Sequence, residues 1–465
     1  MPVSDAHPQY SFYLPQWEKT RDACAGSARV KARKSIYLPV PDASDQDPTK
    51  GTNRTRYKQY IQRAVYTNFV GRTKNALVGA AFRKAPVFEL PDNIGYLATD
   101  ATGDGLSLEQ LCKDELTNLL EVGRVCLMVD YPQAEDGMSE EDVRALGLRA
   151  SIVSYPAESV INWSTETRSG RKLLNLVVIA EKYRTGTDEF SHDSETQHRV
   201  LRLREDGYTQ QIYRDDKPYT EEYYPRQADG AKWQEIPFVF VGSKNNDSTI
   251  DDAPLSDIAD VNIAHYCNSA DYEESCFLTG QPTLFLTHSL SKEMWDEYNT
   301  SGIKLGSRAG HVLGETGNAT LVQADANSMV GQAMKDKESQ MVMIGARIIT
   351  DRGQNETAEA ARIRFASENS VLGDVVHNLT DGIIQCLKWA CLYMGTDEEI
   401  EFALNTDFYD RTVDPQMISS MILLLDRGLI GEEDIFKRAK AGGIVDEDRS
   451  FDDVRTERGL ANPLV

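Results

Sequence analysis

A chain of 465 residues has room for about two or three domains, and its 40% apolar and 26% charged content is that of an ordinary globular protein. Asp and Glu outnumber Lys and Arg by 73 to 50, and a formal net charge of -23 argues against a broad nucleic-acid-binding surface. No run approaches the roughly 18 uninterrupted apolar residues of a membrane helix, and Met1 to Tyr13 lacks the basic region and apolar core of a signal peptide, so a cytosol-like compartment and no membrane partner are expected.

The cysteines, Cys24, Cys112, Cys126, Cys267, Cys276, Cys386 and Cys391, are odd in number and scattered, with no CxxC. That pattern predicts neither a disulfide framework nor a structural zinc site, and most of them read as small hydrophobes. Charge is unevenly spread: residues 17–84 hold 15 Lys and Arg against 5 Asp and Glu, a net of +10 that leaves -33 for the remainder. Such a split can serve attraction between subunits or a foreign partner, or reflect solvated faces only.

The first fifty residues read as loosely ordered, with Pro39, Pro41 and Pro48 marking a loop. Apolar spacing from Tyr57 to Ala80 predicts one helix over about 56–82, capped by Thr55. Ser107-Leu108-Glu109-Gln110 is a capping-box sequence opening a helix to about Glu121, with Gly123 suited to its left-handed end. The period then changes. Arg124–Asp130, Ser151–Tyr155, Leu173–Glu181, His198–Arg204, Tyr208–Arg214 and Ile236–Val241 are alternating or β-branched runs between turns, which predicts an α+β domain around a largely antiparallel sheet.

Asp251-Asp252-Ala253-Pro254 opens a helix to about Phe277, with Leu255, Ile258, Ala259, Tyr266, Ala270 and Phe277 on one stripe. Asp257, Asp260, Asp271 and Glu274 fall opposite, within an arc of roughly 100°. Residues 251–277 contain seven acids and no Lys or Arg. Gln281–His288 and Ile303–Gln323 read as short strands and turns. A second helix is expected over 328–349, with Val330, Met334, Met341, Ile344 and Ile348 on one face, Lys337 among them and Lys335 opposite. The loop Thr350–Glu356 precedes a helix predicted from Thr357 to about Met394, about 55 Å long if straight, with Gly373 and Gly382 as bend points. Two short helices over 416–427 and 432–440 then precede an acidic, partly disordered tail. Helix, insert, helix, tight loop and long helix suit the wall of a tube better than an enzyme pocket.

Motifs of chemistry are absent from the sequence. No glycine-rich phosphate loop ends in Gly-Lys-Ser/Thr, and Gly103-Asp104-Gly105 lacks a third glycine and a preceding strand, so it reads as a turn. Neither GxSxG nor HExxH occurs, and the seven histidines have no metal-ligand spacing. His265 and His377 are expected as packed or interface residues on helices, and Asp251/Asp252 and Glu273/Glu274 as helix-end or solvated charges. No catalytic residue, metal or cofactor is expected, and no enzyme activity.

Several stretches, each weak alone, together carry a resemblance. They are Trp17, Arg21, Asp22 and Gly26 with Tyr37-Leu38-Pro39; Tyr57, Tyr60 and Arg63-Ala64; Gly123 to Asp130; and Ile161-Asn162-Trp163. Ala264 to Tyr272, Gly280-Gln281-Pro282-Thr283, Gly345-Ala346-Arg347 and Asn355 to Arg362 complete the set. In order and spacing, across residue 17 to about 440, the chain resembles the portal proteins of tailed bacteriophages.

The resemblance implies a multi-domain α+β portal fold: a wing over 1–250, stem helices over 251–277 and 328–349 around a clip at 278–327, a tunnel loop at 350–356, a long helix and wing return over 357–413, and a crown with C-terminal tail over 414–465. It implies a homo-oligomeric ring, expected as a dodecamer, at a virion's capsid vertex, assembled in the host cytoplasm. Double-stranded DNA would pass transiently and without sequence preference during packaging and ejection. Terminase, capsid and scaffolding proteins, and adaptor or tail proteins would be its partners. Lys335, Asp351, Arg352, Gln354 and Asn355 become candidate channel and tunnel-loop residues, Asp257, Asp260, Asp271 and Glu274 an acidic stem face, and Lys304 and Arg308 clip contacts. An ion pair between subunits is an equal alternative for Lys335. Another head–tail adaptor or scaffold-binding virion protein is the competing reading, and a packaging enzyme is disfavoured by the missing phosphate loop.

Overall fold

The computed structural model describes residues 2–41, 51–132, 147–186, 188–280, 283–300, 311–322, 328–349, 371–406, 431–441 and 449–461, with positions 408, 421, 423–425, 427 and 445. The chain divides into two compact units, one of Met1–Val78 with Val87–Ala403 and one of Gly79–Pro86 with Leu404–Val465. The fold is α+β, with every strand pairing antiparallel.

The N-terminus corrects the sequence reading. Helices α1 (Pro8–Ala25) and α2 (Ser27–Ala32) replace the expected loose segment. What orders them is a polar hub rather than an apolar stripe. The Asp22 carboxylate, 1% exposed, accepts hydrogen bonds from Arg29 Nε at 2.8 Å, Tyr37 Oη at 2.7 Å and Arg33 Nε. Periodicity does not register such an anchor, because it counts only apolar residues. The expected loop around Pro48 lies outside the described residues.

The single helix expected over 56–82 is two, α3 (Gly51–Arg63) and α4 (Phe69–Ala81). Helix α5 (Leu108–Val122) matches its expectation closely: Ser107 Oγ accepts from Gln110 N at 3.2 Å, and Gly123 ends the helix at φ +73°. A Cβ on Gly123 would lie 2.6 Å from the Asp251 carbonyl oxygen, so both the conformation and the close approach require glycine.

After the short β1 (Val87–Glu89), the expected sheet is two. Strands β2 (Arg124–Asp130) and β3 (Ser151–Pro156) belong to a three-stranded sheet, and β4 (Val160–Arg168), β5 (Arg171–Arg184), β6 (Ser194–Arg204), β7 (Gly207–Arg214) and β8 (Lys217–Pro218) form a five-stranded meander. Strand β9 (Phe238–Gly242) returns to the first sheet, giving the order β3-β2-β9. The sequence reading missed β4, whose register with β5 shifts twice, so its side-chain alternation is interrupted. Val125 to Val129 are fully buried, which explains the unbroken apolar run of β2 as a central strand.

Helix α6 (Ser256–Thr279) leads to strand β10 (Thr283–Thr287), helix α7 (Lys292–Tyr298), strand β11 (Asn318–Val322) and helix α8 (Ser328–Ile349). The bounds of α8 are those expected; α7 was not expected. The long helix is described as α9 (Val371–Met394), and its expected first part and the loop before it lie outside the described residues. Leu372, Val376, Leu379, Ile383, Leu387 and Ala390 recur at helical spacing and are all buried. A Cβ on Gly382 would stand 2.4 Å from Val241 Cγ2, so this glycine lets α9 lie against β9. Strand β12 (Glu401–Ala403) pairs with β1.

In the second unit, α10 (Glu432–Ala441) and α11 (Phe451–Ala461) bring the Phe436 and Phe451 rings to 5.4 Å. Part of the expected disordered tail is therefore helical. Ser450 and Asp453 cap α11 reciprocally, Asp453 N donating to Ser450 Oγ at 3.1 Å and Ser450 N to Asp453 Oδ2 at 2.9 Å. No helix among the described residues is long and apolar enough to cross a membrane.

Candidate functional site

Helices α6 and α8 pack antiparallel with a regular register. Ile258 meets Gly345, where an added Cβ would lie 3.8 Å from Ile258 Cδ1. His265 Nε2 lies 3.3 Å from Glu338 Oε1, and an added Cβ on Gly331 would be 3.6 Å from the Tyr272 ring. Each contact is displaced seven residues from the next on both helices, the spacing at which a two-helix seam repeats. Glycines at both ends of that seam permit close approach. Burial falls along it: Ile258 and His265 are buried, whereas Tyr272 is 40% and Met329 78% exposed. The pair thus starts in the core and projects away from it.

The break between α3 and α4 is built by α6. Asn262, fully buried, accepts from Phe69 N at 3.1 Å, Val70 N at 3.2 Å and Tyr66 Oη at 3.1 Å, and donates to Thr67 O at 2.9 Å. Ser269 Oγ accepts from Val65 N at 3.0 Å and donates to Val65 O at 2.6 Å. Backbone groups freed by the break therefore find partners on α6. A sequence signal existed. Asn68 Oδ1 accepts from Gly71 N at 2.7 Å, and Asn three residues before Gly inside an apparently continuous helix marks a new N-terminus.

Three of the four acidic residues expected as a stem face engage basic or phenolic groups of the same chain. Lys19 of α1 pairs with Asp260 and Arg63 of α3 with Glu274, while Tyr60 Oη donates to Asp271 Oδ1 at 2.6 Å. Arg63 also lies 4.3 Å over the Phe277 ring. Burial, then Asp271, pushes the Tyr60 phenol far above its ordinary pKa, so it remains a donor. Asp257 is exposed. Part of the basic excess over 17–84 thus binds the acidic helix in cis.

Among the described residues of the insert few apolar side chains are buried. Strands β10 and β11 pair in register from Thr283–Val322 to Thr287–Asn318, and Asn299 clamps the loop by donating to Val312 O at 3.1 Å and accepting from Val312 N at 3.3 Å. His288 stacks on Trp295 at 4.4 Å. Phe285, Met294, Tyr298, Val312, Leu321 and Val322 are all exposed. A two-stranded hairpin is marginal alone.

Lys335 is exposed on α8, and its carbonyl accepts from Ser339 Oγ at 3.0 Å. Lys304, Arg308, Asp351, Arg352, Gln354 and Asn355 lie outside the described residues. His377 is exposed beside Asp381, which removes the packed alternative of the expectation and leaves the interface one untested. Asp251 is buried, accepting from Lys244 N at 2.7 Å and Asn245 N at 3.1 Å, so it holds a turn. Gly103 and Gly105 likewise donate to Asp100 Oδ1, as the turn reading requires. Among the described residues no cluster of three metal-ligating side chains occurs. Cys24, Cys112, Cys126, Cys386 and Cys391 are buried, as small hydrophobes are. Burial holds the Cys24 thiol up at about 12, which leaves it un-ionised and unreactive.

A family profile described as "Domain of unknown function (DUF4055)" matches residues 254–394, from just before α6 to the last residue of α9. No curated protein matches the chain. Among solved structures, it is similar to a chain from the virion of a native gene transfer agent particle, at 13% identity and TM-score 0.41, over 83% of this chain and 92% of that one. A chain from the neck of the native particle, computed with C12 symmetry, is 14% identical with TM-score 0.40, over 81% and 90%. An HK97-family phage portal protein from Corynebacterium diphtheriae is 10% identical with TM-score 0.31, over 74% and 96%.

Proposed function

We propose that the protein is a non-enzymatic subunit of a homo-oligomeric ring, a dodecamer, set at the capsid vertex of a virus particle, through whose axial channel double-stranded DNA passes during packaging and ejection. The observation that carries this reading is the antiparallel α6–α8 pair, which projects from a buried root to an insert whose apolar side chains are exposed. Copies arranged about an axis would lay such pairs side by side into a wall and cover the inserts against one another.

Electrostatics fits a conduit. Each phosphate that a channel neutralises adds affinity, and with it friction, so a wall that passes DNA freely needs few exposed cations. Helix α6 has none, and Lys335 is one of the few on α8. In this reading Lys335 and Arg352 make sparse phosphate contacts, Asp351, Gln354 and Asn355 belong to a tunnel loop, and Lys304 and Arg308 sit on the clip that docks terminase and later adaptor or tail proteins. Capsid and scaffolding proteins would contact the wing.

Electron microscopy of the purified protein tests the reading: rings with an axial channel are expected, and a monodisperse monomer at micromolar concentration would refute it. Shortening loop 350–356 should leave rings intact and impair packaging or DNA retention; loss of assembly instead would make the loop a packing element.

A further inference from the structure

Residues 2–9 lie across one face of the five-stranded sheet and are tied there by few contacts. His7 N donates to Ile161 O at 2.8 Å, Asn162 Nδ2 to Asp5 O at 2.9 Å, and Ser4 N to Asp216 Oδ1 at 3.2 Å. Val3 and Tyr10 pack on the cluster of Ile161, Val178 and Val200, and Tyr10 Oη donates to Glu158 O at 3.0 Å. At the centre of this segment, His7 does two things with one ring. Its Nδ1 accepts from Gln9 N at 3.2 Å as the N-cap of α1, and its face stacks on Trp163 at 4.1 Å and 22°.

The same indole already holds a buried cation. The Arg124 guanidinium lies 4.3 Å from the Trp163 ring and 3.5 Å from that of Phe240, and its Nε has no hydrogen-bond partner among the described residues. We propose that His7 is an acid-operated latch: its protonation releases residues 2–9 from the sheet, while α1 beyond Trp17 stays docked.

Three independent costs oppose a protonated His7 in this position. Nδ1 becomes a donor and faces the Gln9 N–H instead of accepting from it. A positive charge is placed at the positive end of a helix. A second cation is brought to an aromatic ring whose attraction Arg124 already uses. The neighbouring acids are otherwise engaged: Glu158 pairs with Arg21, Asp216 binds Ser4, and Asp247 and Asp251 act on Arg124. Asp5 is on the segment itself, its backbone held by Asn162. Burial, then Arg124, draws the His7 pKa below its ordinary value of 6.5. The docked state thus favours neutral imidazole, and the latch weakens as pH falls below 6.5. Each pKa unit separating docked from released His7 changes the release equilibrium by about tenfold.

Hydrogen–deuterium exchange of the full-length protein between pH 7.5 and pH 5.0, corrected for intrinsic rates, reads the latch directly. Backbone amides of residues 4–10 should lose about tenfold in protection at the acid end, while those of 17–24 hold. The midpoint of that loss should coincide with the midpoint of His7 itself, read from exchange at its imidazole carbon. His7→Asn keeps a capping oxygen without a titrating ring, and His7→Phe keeps the stack; neither should show the acid-dependent step. Equal protection of the wild type at both ends, the same step in either variant, or a mismatch of the two midpoints would each overturn the proposal.

Discussion

His265 Nε2 stands 3.3 Å from Glu338 Oε1, and this contact is the polar joint at the middle of the α6–α8 seam, between Ile258 packed on Gly345 and Tyr272 packed on Gly331. The imidazole is 2% exposed, its Nδ1 has no partner among the described residues, and the Phe69 ring stands edge-on at 5.9 Å. A buried ring held through one nitrogen fixes how the two helices face each other.

Removing that partner should be costly out of proportion to one exposed glutamate. Glu338→Ala leaves both imidazole nitrogens without a protein acceptor or donor, and a loss of about 1–3 kcal/mol is expected. Glu338→Gln keeps an oxygen at the same reach and should lose less. Urea denaturation of both variants checks the order, and a double-mutant cycle with His265→Leu should return a coupling of about 1 kcal/mol. A coupling near zero would mean that the seam is held by Ile258 and the glycines alone.

Asn262, fully buried, ties α6 to the segment from Tyr66 to Val70 through four hydrogen bonds. Asn262→Ala takes the side-chain acceptor from the Val70 amide, while the Phe69 amide and the Thr67 carbonyl keep each other at 3.0 Å, and it should cost about 1–3 kcal/mol. Asn262→Asp keeps the acceptor but loses the donor and buries a charge, so it should not rescue. Thermal melting decides: a fall in Tm under two degrees for Asn262→Ala would show that water replaces the side chain.

How much of this was legible in the sequence depends on what kind of force makes each element. Helix α5, strand β2 and helix α8 were bounded closely because a cap or an apolar period specifies them. The N-terminal helices were missed because Asp22, Arg29, Arg33 and Tyr37 hold them by polar contacts, which an apolar period does not count. The α3–α4 break is marked locally only by the Asn68 cap on Gly71; Asn262 and Ser269, which satisfy its backbone, lie about two hundred residues away, outside any local window. The acidic face of α6 was legible as a pattern, but its partners Lys19, Tyr60 and Arg63 were not, since they come from a different stretch. The heptad of Ile258, His265 and Tyr272 was present in the sequence; without its mates Gly345, Glu338 and Gly331, it is one apolar stripe among several.

Charge at Asp22 should prove equally sensitive. The carboxylate is buried and satisfied by two guanidinium groups and a phenol; in Asp22→Ala the buried Tyr37 phenol loses its acceptor, while Arg29 is 65% exposed and Arg33 keeps Glu18, so the loss should be about 1–3 kcal/mol. Asp22→Asn removes the charge but keeps the shape and should fall between. Limited proteolysis should cut first within residues 2–41 of the alanine variant. Cleavage elsewhere, with this segment intact, would place the anchoring in the Trp17 contacts instead.

Glu115 should make stability fall as pH rises through neutrality. It is buried on α5 among Cys112, Cys126 and Cys386, with Asn118 Nδ2 at 3.4 Å, and burial raises its pKa to about 7, outweighing the hydrogen bonds from Ser154 and Asn118 that favour the charge. An unfolded glutamate titrates near 4.5, so folding carries a proton onto Glu115 between the two values. Its contribution is fully present below pH 4.5 and is lost as pH climbs through about 7, a change of roughly 3 kcal/mol. Glu115→Gln removes the titration while keeping the amide partners. The variant should therefore match wild type near pH 4.5 and exceed it by roughly 3 kcal/mol at pH 8, measured by urea denaturation at each pH. Parallel pH curves for the two proteins would show that Glu115 is ionised in the folded state and that Ser154 and Asn118 suffice to hold the charge.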